Sequence, residues 1–102
     1  MFMLRMSPLR KVKTVKKDLI KLLEKGFASQ QQGDLEAAEK DYLKVLKHDK
    51  QNEFALNLLG VVCVRTERYQ EAVRYLSRAV RVNAKDPATH NNLGLAYKGL
   101  TD

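Results

Sequence analysis

A chain of 102 residues with a formal net charge of +7 has room for a single domain with a modest apolar core. No stretch approaches the roughly 20 apolar residues that a membrane-spanning helix needs. The charge is lopsided: residues 1–17 hold Arg5, Arg10, Lys11, Lys13, Lys16 and Lys17 with no acid, whereas residues 18–102 carry thirteen basic and twelve acidic residues. Binding of nucleic acid or an anionic membrane would therefore fall to the N-terminal arm and is not expected of the nearly neutral remainder.

The opening Met1–Met6 is apolar apart from Arg5 and lacks the apolar run and cleavage site of a secretory signal. A mitochondrial presequence is an alternative, because Asp18 is the first acid. The residues favour a structural reading. Ser7 can cap a helix, Pro8 suits a first turn, and Leu9, Val12, Val15, Leu19, Leu22 and Leu23 share one helical stripe. The spacing predicts one long helix from about Pro8 to Gln32.

Gly33 and Asp34 end that helix and cap the next, glycine taking a left-handed conformation and aspartate accepting the first free amides. The second helix is expected over about Leu35–Lys47, with Leu35, Ala38, Tyr42, Val45 and Leu46 inward. Its early acids and late lysines match the helix dipole. Asn52 can cap a third helix from about Glu53 to Thr66. A fourth, from about Tyr69 to Val82, turns Tyr69, Ala72, Val73, Leu76, Ala79 and Val80 inward, and Glu67-Arg68 supplies it with a poorer cap than Gly33-Asp34. Asp86-Pro87 starts a fifth helix, to about Leu100, whose apolar set is Leu93, Ala96, Tyr97 and Leu100.

These helices repeat. Leu56-x-x-Leu59-Gly60-x-x-Cys63 followed by Ala72-x-x-x-Leu76 becomes, 34 residues earlier, Leu22-x-x-Lys25-Gly26-x-x-Ser29 followed by Ala38-x-x-x-Tyr42, and 34 residues later His90-x-x-Leu93-Gly94-x-x-Tyr97. Glycine on a first helix and alanine on a second remove side chains where two backbones cross, which lets the axes approach to about 8–10 Å. Gly26, Gly60 and Gly94 are thus all expected at crossings. Gly99, outside that register, is expected to accept alanine.

The period and pattern resemble the tetratricopeptide repeat (TPR), whose unit is a pair of antiparallel helices. The resemblance implies an all-α, right-handed solenoid of five helices and about two and a half repeats. Residues 1–18 form a basic arm running into the first helix, and the repeat domain covers 19–102. Within it, repeat 1 is 19–52, repeat 2 is 53–86, and 87–102 is a half repeat or capping helix. Lys25, where the pattern wants leucine, marks repeat 1 as terminal.

No catalytic motif is visible, and neither a cofactor nor a metal is expected: His48 and His90 could form a metal site only by meeting across the stack. A single cysteine cannot form an internal disulfide. Cys63 holds a core position, which suits a reducing, cytoplasmic setting, and no histidine in its helix pair could activate it as a nucleophile.

The TPR resemblance further implies a ligand in the concave groove lined by first helices. Carried over, the groove positions are Ile20, Leu23, Glu24, Phe27, Gln30 and Gln31 in the first unit, Phe54, Asn57, Leu58, Val61, Val64 and Arg65 in the second, and Ala88, Asn91, Asn92, Leu95, Lys98 and Gly99 in the third. The basic clamp with which some family members hold a chaperone's carboxylate tail is missing, since its places hold Leu23, Phe27, Leu58 and Ala88. Asn91-Asn92-Leu93-Gly94, Gly33 to Glu39 and Leu58-Leu59-Gly60-Val61 look like the N-terminal repeats of bacterial O-GlcNAc-transferase-type glycosyltransferases and related sulfotransferases. There, groove asparagines bind the backbone of an extended polypeptide; here Asn92 matches that ladder, with Leu58 and Glu24 at its equivalents.

The reading is a non-catalytic scaffold that binds a peptide or protein segment through Phe27, Phe54, Asn57, Val61, Arg65, Asn91, Asn92, Leu95 and Lys98. The alternative is the substrate-presenting, non-catalytic part of a larger glycosyltransferase or sulfotransferase. Two and a half units fall short of a full stack, so the apolar set of the last helix calls for a cover, for which a second copy of the chain in a homo-oligomer and further residues of a longer parent are the two candidates.

Overall fold

The computed structural model describes residues 8–102, with side chains described from Lys16 onward. The Ser7 cap and the stripe positions Leu9, Val12 and Val15 therefore lie outside the described side chains. Five helices follow in order: α1 (Pro8–Gln31), α2 (Leu35–His48), α3 (Glu53–Arg65), α4 (Tyr69–Val82) and α5 (Pro87–Thr101). Among the described residues there is no strand, and no helix is long and apolar enough to cross a membrane. Helices α1 and α2 pack as one antiparallel pair and α3 and α4 as the next; α3 rests on α2, and α5 rests on both α3 and α4.

The turns explain the helix boundaries. Gly33 has φ +85°, and the Asp34 carboxylate accepts the Ala37 amide at 3.1 Å. Asn52 accepts from the Ala55 amide at 3.0 Å, and Asp86 from the Ala88 amide at 3.0 Å and the Thr89 hydroxyl at 3.1 Å. The α3–α4 turn has the same backbone path without the same residues: Asp34 N–H donates to Ser29 O at 2.9 Å, and Arg68 N–H to Cys63 O at 2.7 Å. Glu67 must then adopt φ +61°, a left-handed conformation costing a non-glycine residue about 1–2 kcal/mol.

Arg68 makes no side-chain cap. Its guanidinium instead forms a two-pronged pair with Glu39 of α2, at 2.6 and 3.0 Å, and lies 3.6 Å from Glu71. The weak turn is thus tied sideways to the preceding helix pair by a charge-assisted bond.

The core lies in two clusters, and the partly buried Tyr75 packs against both. Tyr42, Val45, Ala55, Leu56, Leu59 and Val62 are fully buried in one cluster, and Cys63, Ala72, Leu76 and Ala96 form a second. Small residues set the spacing. A Cβ built on Gly26 would lie 2.7 Å from Tyr42 Cε1, and one on Gly60 would overlap the Leu76 side chain.

Two glycines depart from expectation. A Cβ on Gly94 would meet nothing within 4 Å, because no following helix crosses α5 at that point among the described residues. A Cβ on Gly99 would overlap the Tyr69 ring, so Gly99, expected to be replaceable, is itself a close-approach position between α4 and α5. The last helix is also better covered than expected. Ala96 is fully buried and Leu93 packs against its cluster, leaving Tyr97 and Leu100 about half exposed.

Cys63 is buried, and burial first of all lifts its thiol from an ordinary 9.0 to about 11. Tyr42 is pushed up to about 12 by burial, with a smaller contribution from the charge of Asp41. At neutral pH neither ionises, so Cys63 has the protonation state of a core residue and not that of a nucleophile. Linkage gives the sign of the alkaline response. Above pH 9 the unfolded chain releases the thiol proton while the folded chain retains it until about 11, so the contribution is complete below pH 9 and is lost as pH rises through 11. Melting midpoints are expected to fall between pH 9 and 11, and less steeply in Cys63→Ala than in wild type. Parallel slopes would contradict this account.

Candidate functional site

Helix α3 lies between α1 and α5, so the first helices of successive pairs stand side by side. On α3, Phe54, Asn57, Val61 and Arg65 are spaced by three or four residues and form one stripe. Phe54 is 64% exposed, an unusual state for a phenylalanine within a well-packed stack, while Asn57 and Val61 are half-buried and Arg65 is exposed. Helix α5 presents Asn91, Leu95 and Lys98 by the same spacing, all exposed, with Leu95 at 48%. Helix α1 adds Phe27, 44% exposed.

One polar contact joins two of these helices. Asn92 Nδ2 donates to Asn57 Oδ1 at 3.1 Å, fixing the half-buried amides of α3 and α5 against each other. The bond uses the Asn57 oxygen and one Asn92 amide hydrogen, and leaves the Asn57 amide group as a donor and the Asn92 oxygen as an acceptor. Arg65 and Lys98 lie on the same two helices, and neither joins an ion pair among the described residues.

Several carried-over positions are elsewhere: Leu23, Leu58 and Val64 pack against the core clusters, and Gly99 faces the Tyr69 ring of α4. Gln30 is 8% exposed, and its Oε1 accepts the Tyr42 hydroxyl at 2.7 Å, so it belongs to the α1–α2 packing and not to an open groove. The sequence signal was there in Tyr42, a buried phenol that needs a partner. The Asn57–Asn92 contact had no such signal, since residues 35 apart meet only through the angle at which α5 crosses α3. Among the described residues no three His, Cys, Asp or Glu side chains gather at metal-binding distance.

Antiparallel helix pairs stacked side by side, with small residues at the crossings and first helices aligned, define a helical-repeat protein. The chain belongs to the tetratricopeptide repeat family: the family model described as Tetratricopeptide repeat matches residues 23–88 and again 64–97. A TPR repeat-containing protein of Pseudomonas aeruginosa is 33% identical over 84 residues, which is 81% of this chain and 14% of that protein. Among solved structures, a mutant of the Thermobaculum terrenum O-GlcNAc transferase superposes with a TM-score of 0.80 at 29% identity, over 85% of this chain and 18% of that one. The chain thus spans less than a fifth of either relative, and what matches in the transferase is a helical-repeat segment.

Proposed function

We propose that this chain is a protein-interaction scaffold that holds an extended or helical peptide along the α1–α3–α5 face. The observation that carries the reading is the Asn57–Asn92 bridge, set within a row of exposed apolar side chains. Phe27, Phe54, Val61 and Leu95 supply an apolar floor. The amides of Asn57, Asn91 and Asn92 bond a peptide backbone, and Arg65 or Lys98 receives an acidic residue. So short a groove buries little area, which suits micromolar affinity. We take residues 1–18 as an arm outside the repeats, and units of 19–52, 53–86 and 87–102 as the repeat boundaries. The exposed Tyr97 and Leu100 leave α5 a face for a second copy or for further helices.

The test uses an array of extended peptides with apolar anchors and one acid. Asn57→Ala combined with Asn91→Ala is expected to weaken the best binder about tenfold, or 1.4 kcal/mol, with only the small fall in melting midpoint that loss of the Asn57–Asn92 bond brings. Lys13→Ala with Lys16→Ala is expected to leave binding intact. Loss of binding on changing the arm alone, with the groove variant unaffected, would transfer the function to the basic arm and overturn the groove.

A second reading is favoured by the likeness to the transferase: this segment presents a polypeptide to a catalytic domain in a longer enzyme, and does no chemistry itself. Both readings use the same groove. They part on whether the bound peptide is modified by the full-length protein.

A further inference from the structure

Away from the groove, the turn between α2 and α3 and the end of α4 enclose a cleft of about 460 Å³ lined by Lys50, Gln51, Leu56, Arg78, Arg81 and Val82. None of these residues is on the Phe54–Arg65 stripe or the α5 stripe. Three of the six are cationic and none is acidic. Leu56 forms a buried floor, and Val82, 42% exposed, forms an apolar edge.

The arginines are poorly placed for a merely solvated face. On α4, Arg74, Arg78 and Arg81 follow one another at spacings of four and three, where like charges repel. The only acid of that helix, Glu71, lies beside Arg68. In the adjoining turn Asp49 accepts from Asn52 at 3.2 Å, and Glu53 from Asn83 at 2.9 Å. Neither acid forms an ion pair with Lys50, Arg78 or Arg81, since the ion pairs among the described residues all involve Arg68.

Arg78 is also held in place. Its Nη2 donates to the Lys50 carbonyl at 2.9 Å, which tethers the guanidinium to another residue of the cleft lining while its other N–H groups stay available. A guanidinium whose rotamer is already restrained gives up less entropy on meeting a carboxylate, and its fork matches both carboxylate oxygens.

We infer that this cleft is a second docking site, which takes an acidic peptide segment carrying an aliphatic side chain beside its carboxylates. Charge complementarity selects the carboxylates, and the exposed Val82 side chain takes the aliphatic group. Nucleic acid fits less well. No aromatic side chain lines the cleft to stack a base, and a single pocket does not track a run of phosphates.

The experiment measures fluorescence anisotropy of a labelled peptide of aspartate and glutamate around one central leucine, titrated with the full chain at low salt. Binding is expected, with affinity falling steeply as salt is raised. Arg78→Gln with Arg81→Gln is expected to weaken it about tenfold. Arg81→Gln alone, which leaves the Arg78–Lys50 bond in place, is expected to weaken it about threefold with an unchanged melting midpoint. Asn57→Ala with Asn91→Ala should have no effect, which separates this site from the groove. Equal binding by wild type and the double arginine variant would overturn the proposal. So would tighter binding of an oligothymidylate than of the peptide, or loss of peptide binding in Lys16→Ala with Lys17→Ala while the arginine variants bind normally.

Discussion

Gly60→Ala is expected to destabilise the chain by about 3 kcal/mol, at the upper end of overpacking costs, and to lower the melting midpoint by roughly 15 °C. A single added carbon has this effect because it would coincide with the Leu76 side chain, itself fully buried between α3 and α4 and unable to swing into solvent. Gly94→Ala, at the same place in the repeat pattern, is expected to be neutral or to gain up to about 1 kcal/mol through helix propensity, since a Cβ there meets nothing within 4 Å. Coupling supplies a second check. Leu76→Ala alone leaves a cavity costing about 2–5 kcal/mol, and combining it with Gly60→Ala should cost clearly less than the two added together. Equal melting shifts for Gly60→Ala and Gly94→Ala would show that Gly60 is not a helix crossing.

Tyr42→Phe is expected to cost about 2 kcal/mol although it removes only one oxygen. The Tyr42 hydroxyl donates at 2.7 Å to Gln30 Oε1, and both side chains are buried, so the substitution strands an amide oxygen between α1 and α2. Replacing both partners tests that cause. In Tyr42→Phe with Gln30→Leu no buried polar atom is orphaned, and most of the lost stability should return. Chemical denaturation of the three proteins reads the difference. A double variant as unstable as the sum of its parts would place the cost in packing of the ring instead.

Much of the architecture was legible from local chemistry. Asp34, Asn52 and Asp86 are caps wherever they occur before an apolar-periodic stretch, and each one accepts an amide at the start of its helix. The five helices agree with the expected boundaries to within a residue or so, α4 at both ends. The poor α3–α4 turn was visible too, since neither Glu67 nor Arg68 suits its place, and the strain appears at Glu67. What could not be read locally was the use made of Arg68, because its partner Glu39 is 29 residues away and is reached only once the second helix pair lies on the first.

The candidate groove divides the same way. Helical spacing alone assembles Phe54, Asn57, Val61 and Arg65 into a stripe, so the sequence by itself determined which faces of α3 and α5 look outward, along with the family and the repeat period. Which side chains of the two helices meet depends on the crossing of α3 and α5, and the tertiary structure decided that by bonding Asn57 to Asn92 and by withdrawing Gln30 into the core. Gly94 and Gly99 show the reason most plainly. Periodicity records which positions recur along the chain, but the space around a glycine is set by what crosses it: the periodic Gly94 faces open space, whereas the non-periodic Gly99 is pressed against Tyr69.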